Sequence, residues 1–335
     1  MALADQMNTA TSIPDKDQIM SENDGRKSQV GTLSFLSRPL PFSPSVRNGL
    51  ILFLVAAACA VFWHPFLTLY TLSQEQEHYS HIVLIPLVSL YVLYGNRTAI
   101  LASREWSPVL GVVLIGSGGL GYGLSNAAGL GSDSLSMTMA SFVVICWGIF
   151  LLGYGAELFR QGLFGLLFLL FMVPLPEVLL SATIQFLQRM SAEASDVIFG
   201  LLGVPVFREG FSFSLTNFSV HVAEECSGIR SFLSLIITVL VAGHFFLRSF
   251  WTKLGIVAFV IPLAIIKNAF RIVGLTLLAN YVDPAYITNS VLHSSGGIPL
   301  FGLSLVVLFS LIWLLRRVEQ RMGYGTQKTC ITSEG

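Results

Sequence analysis

The stretch Glu224-Glu225-Cys226-Ser227-Gly228-Ile229-Arg230-Ser231 sets a thiol and both signs of charge at the mouth of a long apolar segment. A cysteine that opens a helix, with Arg230 one turn further in, has two reasons to ionise: the unpaired N–H groups of the first turn and a fixed cation nearby. Such a thiol is a candidate nucleophile, with Glu225 and Arg230 as accessory groups beside it. Lys267, Asn268 and Arg271 fall at i, i+1 and i+4 inside a later apolar run. A cation at the centre of a membrane helix costs about 2.5–3.5 kcal/mol, so these groups are expected to face a polar interior. His293 stands just before the last apolar run. A thiolate attacks a carbonyl, an imidazole takes and returns protons, and a guanidinium stabilises the oxyanion that develops. Cys226, His293 and Arg271 together are the parts for acyl transfer by covalent catalysis.

Each residue alone also has a plainer role. Cys226 suits packing, the two glutamates suit a helix cap, Arg271 suits a structural pair with a carboxylate or carbonyl, and His293 suits a solvated loop. His221 lies close to Cys226 in sequence and rivals His293 as the base. Arg230 either tunes the thiol or pairs with a carboxylate such as Glu225. Joint placement on one membrane face favours the functional reading.

The elements that must position these residues are membrane spans. Of the 335 residues 53% are hydrophobic and 11% charged, a composition too apolar for an ordinary soluble domain. The formal net charge of zero gives no general attraction to nucleic acid. Four cysteines without a C-x-x-C pair argue against a metal cluster, a disulfide framework and a dithiol redox enzyme. No His, Cys and carboxylate set has a recognised ligand spacing, so no metal or organic cofactor is expected.

Apolar runs of crossing length occur at about 50–71, 81–94, 108–125, 135–155, 161–175, 229–247, 254–281 and 298–315. The expected fold is therefore an all-α polytopic membrane protein with about eight transmembrane helices. Residues 1–46 read as a disordered cytoplasmic tail with a positive end, unlike a cleaved signal peptide. With the N-terminus inside, the cytoplasmic segments carry Arg97, Arg104, Arg160, Arg248, Lys253 and the Arg316–Lys328 cluster. The opposite loops carry Glu75, Glu77, Asp133 and Asp283 without Lys or Arg, so the positive charge alternates as cytoplasmic loops require. This holds only if the interval from Glu177 to Glu225 begins and ends outside. Its first half, to Leu202, reads as a short amphipathic helix at the outer surface or packed among the spans, and its second half as a β-hairpin over the outer face.

The ordered set of motifs resembles the exosortase and archaeosortase family. The resemblance rests on Cys226-Ser-Gly-Ile-Arg-Ser231, on Asn268-Ala-Phe-Arg-Ile272 and on His293 ahead of the last span. His78-Tyr79-Ser80-His81, Val173-Pro-Leu-Pro176 and Gly203-Val-Pro-Val206 with Arg208 add to it, so that it covers about 50–315. It implies a multi-pass cysteine transpeptidase, with a catalytic domain over 47–317 and a cytoplasmic tail over 318–335. Its protein substrates would be exported proteins that end in a Pro-Glu-Pro-like motif, a transmembrane helix and a basic cluster. By match of motif Cys226 is the nucleophile, Arg271 the transition-state stabiliser and His293 the acid/base, on the outer side of the inner membrane. Arg208 then has a role in receiving an acidic residue of the signal or is a solvated loop charge, and His81 is a site group or an anchor. The competing reading is a transporter or flippase for polysaccharide or lipid, with Lys267 and Arg271 as an anion path. The acyl acceptor and the oligomeric state are not encoded in these motifs.

The charge alternation predicts that a reporter fused after Asp133 or Asp283 is accessible from outside, whereas one at Thr252–Lys253 is active only inside. External activity at Thr252–Lys253 contradicts this arrangement.

Overall fold

The computed structural model describes residues 38–39, 43–102, 105–127, 133–215, 219–281 and 297–322. Most of the expected N-terminal tail, Asp283 and His293 lie outside those residues. In chain order the elements are β1 (Arg38–Pro39), α1 (Pro44–Val61), α2 (Trp63–Glu75), α3 (Ile85–Gly95), α4 (Arg97–Ala102), β2 (Glu105–Trp106), α5 (Pro108–Ala127), α6 (Asp133–Gln161) and α7 (Leu163–Phe168). They continue as α8 (Glu177–Leu201), β3 (Phe207–Glu209), β4 (Ser212–Ser214), β5 (Ser219–His221), α9 (Ile229–Phe246), α10 (Phe250–Tyr281) and α11 (Gly297–Arg321).

The protein is an all-α polytopic membrane protein, as its composition requires. Among the described residues six helices are long and apolar enough to cross a bilayer: α1, α5, α6, α9, α10 and α11. The number rises to seven if Leu163–Met172 and Glu177–Leu201 count as one broken span. The difference from about eight has local causes. The run at 81–94 forms the apolar helix Ile82–Gly95, which falls short of crossing length. Pro174 and Pro176 end the run at 161–175, since proline supplies no N–H for helical bonding. Pro65 likewise has no N–H to offer the carbonyl of Val61, and the run at 50–71 divides there into α1 and α2.

The chain divides into two compact units, residues 1–65, 87–129 and 137–170 in one and 66–86, 130–136 and 171–335 in the other. In the first, α5 presents Gly111, Gly118 and Ser125 as its buried stripe toward α6. A side chain on Gly111 would meet Leu152 at 2.8 Å and one on Gly148 would meet the Gly111 carbonyl at 2.8 Å. Small residues let these backbones approach closely, which is how apolar helices associate without a hydrophobic driving force. Ser125 and Thr138 share a hydroxyl–hydroxyl bond of 2.9 Å at the same seam.

The second unit carries the candidate site. Leu235 and Val239 of α9, Ile256 and Val260 of α10, and Leu308 and Ile312 of α11 form one buried cluster. A second cluster joins Phe199 of α8, Phe213 of β4, Val222, and Ile272 and Val273 of α10. The expected hairpin is a three-stranded antiparallel sheet in the order β3–β4–β5, with Phe207–Glu209 as an additional strand. Arg208, Phe213 and Val220 lie in register across its inner face, and Ser212 pairs with His221 on the other. The expected amphipathic helix is α8. It packs along α10. Its buried side includes the polar Gln188, Ser191 and Ser195, whereas Val178, Phe186, Val197 and Leu201 are exposed, a polarity suited to lipid outside and protein inside.

At the opposite end of α10 from the site, a buried carboxylate from α11 caps the helix. Glu319 accepts from the backbone N–H of Arg248 and of Ser249, each at 2.9 Å, and from the Thr252 hydroxyl. These amides precede the first turn of α10 and have no intrahelical acceptor, and the helix dipole favours an anion there. Glu319→Ala is expected to destabilise the protein by roughly 2–4 kcal/mol, because it strands two backbone N–H donors, while the Thr252 hydroxyl keeps the Ser249 carbonyl at 2.9 Å. Glu319→Gln keeps an acceptor oxygen and loses less. The thermal unfolding midpoint in detergent measures both, and equal midpoints for wild type and Glu319→Ala contradict the capping role.

Candidate active site

From β5 the chain passes Val222, whose N–H donates to the Phe211 carbonyl at 2.9 Å and whose carbonyl accepts from Gln188 Nε2. It then forms a 3-10 turn over Glu224–Ser227, closed by the Cys226 N–H on the Ala223 carbonyl at 2.9 Å. Gly228 follows at φ 81° and ψ 11°, and α9 begins at Ile229. Cys226 therefore does not open the helix as expected from the sequence: a left-handed glycine separates the thiol-bearing turn from it. The Ile229 N–H is directed at Ser227 Oγ, at 3.4 Å.

The turn is held from α10. Asn268, 1% exposed, donates through Nδ2 to the Cys226 carbonyl at 2.8 Å. Its side chain also fills the space beside Gly228, where an added Cβ would lie 3.0 Å from Asn268 Cγ. Lys267, 6% exposed, donates to Ser231 Oγ, and Ser231 Oγ donates to the Gly228 carbonyl at 2.9 Å. Adjacent residues of α10 thereby fix both ends of the short segment from Cys226 to Gly228, one directly and one through a hydroxyl. The hydrogen bond gives the Lys267 ammonium a polar neighbour that an apolar span does not offer.

Cys226 is half-buried against the Phe213–Val222–Ile272 cluster. It shares with Arg271 a pocket of about 60 Å³, walled by Val220, Val222, Ile272 and Leu275 and also lined by His221 and Thr276. Cys226 from the turn and Arg271, one helical turn beyond Lys267, thus line one small, mostly apolar space.

The family model described as a transmembrane exosortase matches residues 72–310. The chain belongs to the transmembrane exosortase family. No curated protein and no solved structure matches the chain. Membership supports a membrane transpeptidase-like role in general and implies protein substrates with sorting signals.

Within this exosortase the residues singled out from the sequence fall into four groups. Cys226, Arg271, Asn268 and Lys267 gather at the turn and its pocket. Glu225 is part of the turn itself, and Arg230 is exposed in the first turn of α9. His293 lies outside the described residues. Two others do not line the pocket. Arg208 is on the inner face of β3, with its guanidinium 6.0 Å from the Phe213 ring centroid and its Nε donating to the Gly210 carbonyl at 3.0 Å. His81 precedes the 3-10 turn Ile82–Leu84 and accepts the Leu84 N–H at 3.0 Å. The neighbouring His78 is half-buried against Tyr79, and burial pushes its imidazole below the usual histidine range.

His221, the rival base, lines the pocket where β5 passes it, but strand alternation turns its exposed side chain to the face opposite Val220 and Val222. There its Nδ1 shares a 2.9 Å hydrogen bond with Ser212 Oγ. Three residues escape sequence reasoning: Ser231, Gln188 and Thr276. Ser231 carried a signal, because it stands one helical turn after Gly228 in the motif itself.

Gly228 is the position where backbone and side-chain limits coincide. Gly228→Ala imposes about 1–2 kcal/mol of left-handed strain and presses its methyl on Asn268. A lower thermal midpoint in detergent and a changed rate of Cys226 alkylation by N-ethylmaleimide are expected. A variant that matches wild type in both removes the requirement for glycine.

Proposed function

We propose that this exosortase is a cysteine transpeptidase of the inner membrane that cleaves C-terminal sorting signals from exported proteins through a thioacyl intermediate. The observation that carries the reading is the pocket shared by Cys226 and Arg271. The Cys226 thiolate attacks the scissile carbonyl, and Arg271 balances the charge that develops on its oxygen. The C–N bond breaks as His293 protonates the leaving amine, which leaves a thioester on Cys226. An acceptor nucleophile, deprotonated by His293, attacks that thioester and restores the thiolate.

In this reading the catalytic face is the outer one, both termini are cytoplasmic, and residues 1–46 and 318–335 are tails on a catalytic domain over 47–317. The substrates are exported proteins with a Pro-Glu-Pro-like motif, a transmembrane helix and a basic cluster, held in the plane of the membrane beside the enzyme. Arg208, Arg230, Glu225 and His81 are accessory or substrate-facing groups, and Asn268 and Lys267 serve through the turn.

Co-expression with a secreted reporter bearing such a C-terminus tests the assignment. Cys226→Ser, Cys226→Ala, Arg271→Ala and His293→Ala are each expected to reduce processing at least about 100-fold at normal protein level, as removal of a nucleophile or an oxyanion donor does. Processing that survives Cys226→Ala overturns the nucleophile, and activity in a cysteine-free variant favours transport.

A further inference from the structure

We infer that the pocket beside Cys226 receives the side chain of the residue whose carbonyl is attacked, and that Thr276 selects a small hydroxyl-bearing side chain there. The inference rests on the reading of Cys226 as nucleophile. Its starting point is an unsatisfied hydroxyl. Thr276 is 1% exposed and lines the pocket, and its Oγ1 makes no hydrogen bond among the described residues.

Three other hydroxyls in the same unit behave differently, whereas Ser191 Oγ on α8, away from the pocket, shares the lack of a partner. Ser234, Thr238 and Ser304 each donate to the carbonyl four residues back in their own helix, at 2.9, 2.7 and 2.8 Å. That local bond is the ordinary fate of a hydroxyl in an apolar helix. A buried hydroxyl without it loses its water and gains nothing in return, so a partner supplied by a ligand explains its retention. Thr276 lines the same space as Cys226.

The remaining walls set size and charge. Val220, Val222, Ile272 and Leu275 are apolar, which disfavours a charged side chain, and Arg271 is committed to the oxyanion in the proposed reaction. A pocket of about 60 Å³ holds roughly four or five water-sized groups. Seryl and threonyl side chains fit that space, and a phenyl ring does not. A substrate hydroxyl can either donate to or accept from Thr276 Oγ1, which gives the buried hydroxyl a partner.

The test uses full-length protein in lipid nanodiscs and capped seryl, alanyl and phenylalanyl chloromethyl ketones. In each the Cys226 sulfur–carbon bond forms as the carbon–chlorine bond breaks and chloride leaves, and the adduct on Cys226 is quantified by mass spectrometry. The seryl reagent is expected to label about tenfold faster than the alanyl one, as one hydrogen bond provides, with the phenylalanyl reagent slowest. Thr276→Val, which keeps the shape and removes the hydroxyl, brings the seryl rate down to the alanyl rate, and Thr276→Ser keeps the preference. Equal seryl and alanyl rates in wild type, a preference that survives Thr276→Val, or no adduct on Cys226 with any reagent overturns the subsite. Reporter processing in Cys226→Ser is scored separately: its persistence sinks the nucleophile, whereas its loss without a seryl preference sinks only the subsite.

Discussion

The hydrogen bond from Asn268 Nδ2 to the Cys226 carbonyl is the constraint around which the second unit is arranged. It joins a 3-10 turn, which has little structure of its own, to a continuous helix of 32 residues. Successive residues of an α-helix point about 100° apart. Only one rotation of α10 therefore brings Asn268 to the turn, Lys267 to Ser231 and Arg271 to the pocket at once. That rotation is held by the packing of α10 on α8, α9 and α11, so the two apolar clusters act on the site by fixing the azimuth of one helix.

The sheet forms the complementary wall. Its inner row of Arg208, Phe213 and Val220 meets the helices, and on its outer row Ser214, Ser219 and His221 are exposed. Gln188 ties the end of this wall to α8 through the Val222 carbonyl, an otherwise awkward polar group in an apolar layer. A small roof with one apolar and one polar face suits a pocket at the edge of hydrocarbon, where both media are near.

Much of this was legible because polar residues are conspicuous in apolar runs. Lys267, Asn268 and Arg271 declare a shared helix stripe by spacing alone, and Cys226 differs from Cys59 and Cys146 by its polar neighbours. The length of α10 and the existence of α8 followed from the same periodicity. Hydropathy did not reveal the break at Phe62, because Pro65 hardly alters the mean over a window of that length. Thr276 was hidden for another reason. A hydroxyl in an apolar helix usually bonds its own backbone, and sequence does not say which hydroxyl departs from that habit. The helical start at Cys226 was misread because Gly228 looked like part of the helix instead of its left-handed boundary.

The Glu319 cap has a consequence for how this protein sits in lipid. At about 1.5 Å per residue, Thr252 in the cap and Arg271 at the pocket lie about 28 Å apart along α10. That is nearly the thickness of bilayer hydrocarbon, about 30 Å. Helix α10 is thus a gauge with a polar stop at each end. A thicker bilayer draws one stop inward, and a thinner one leaves apolar surface uncovered, each at a fraction of a kcal/mol per ångström.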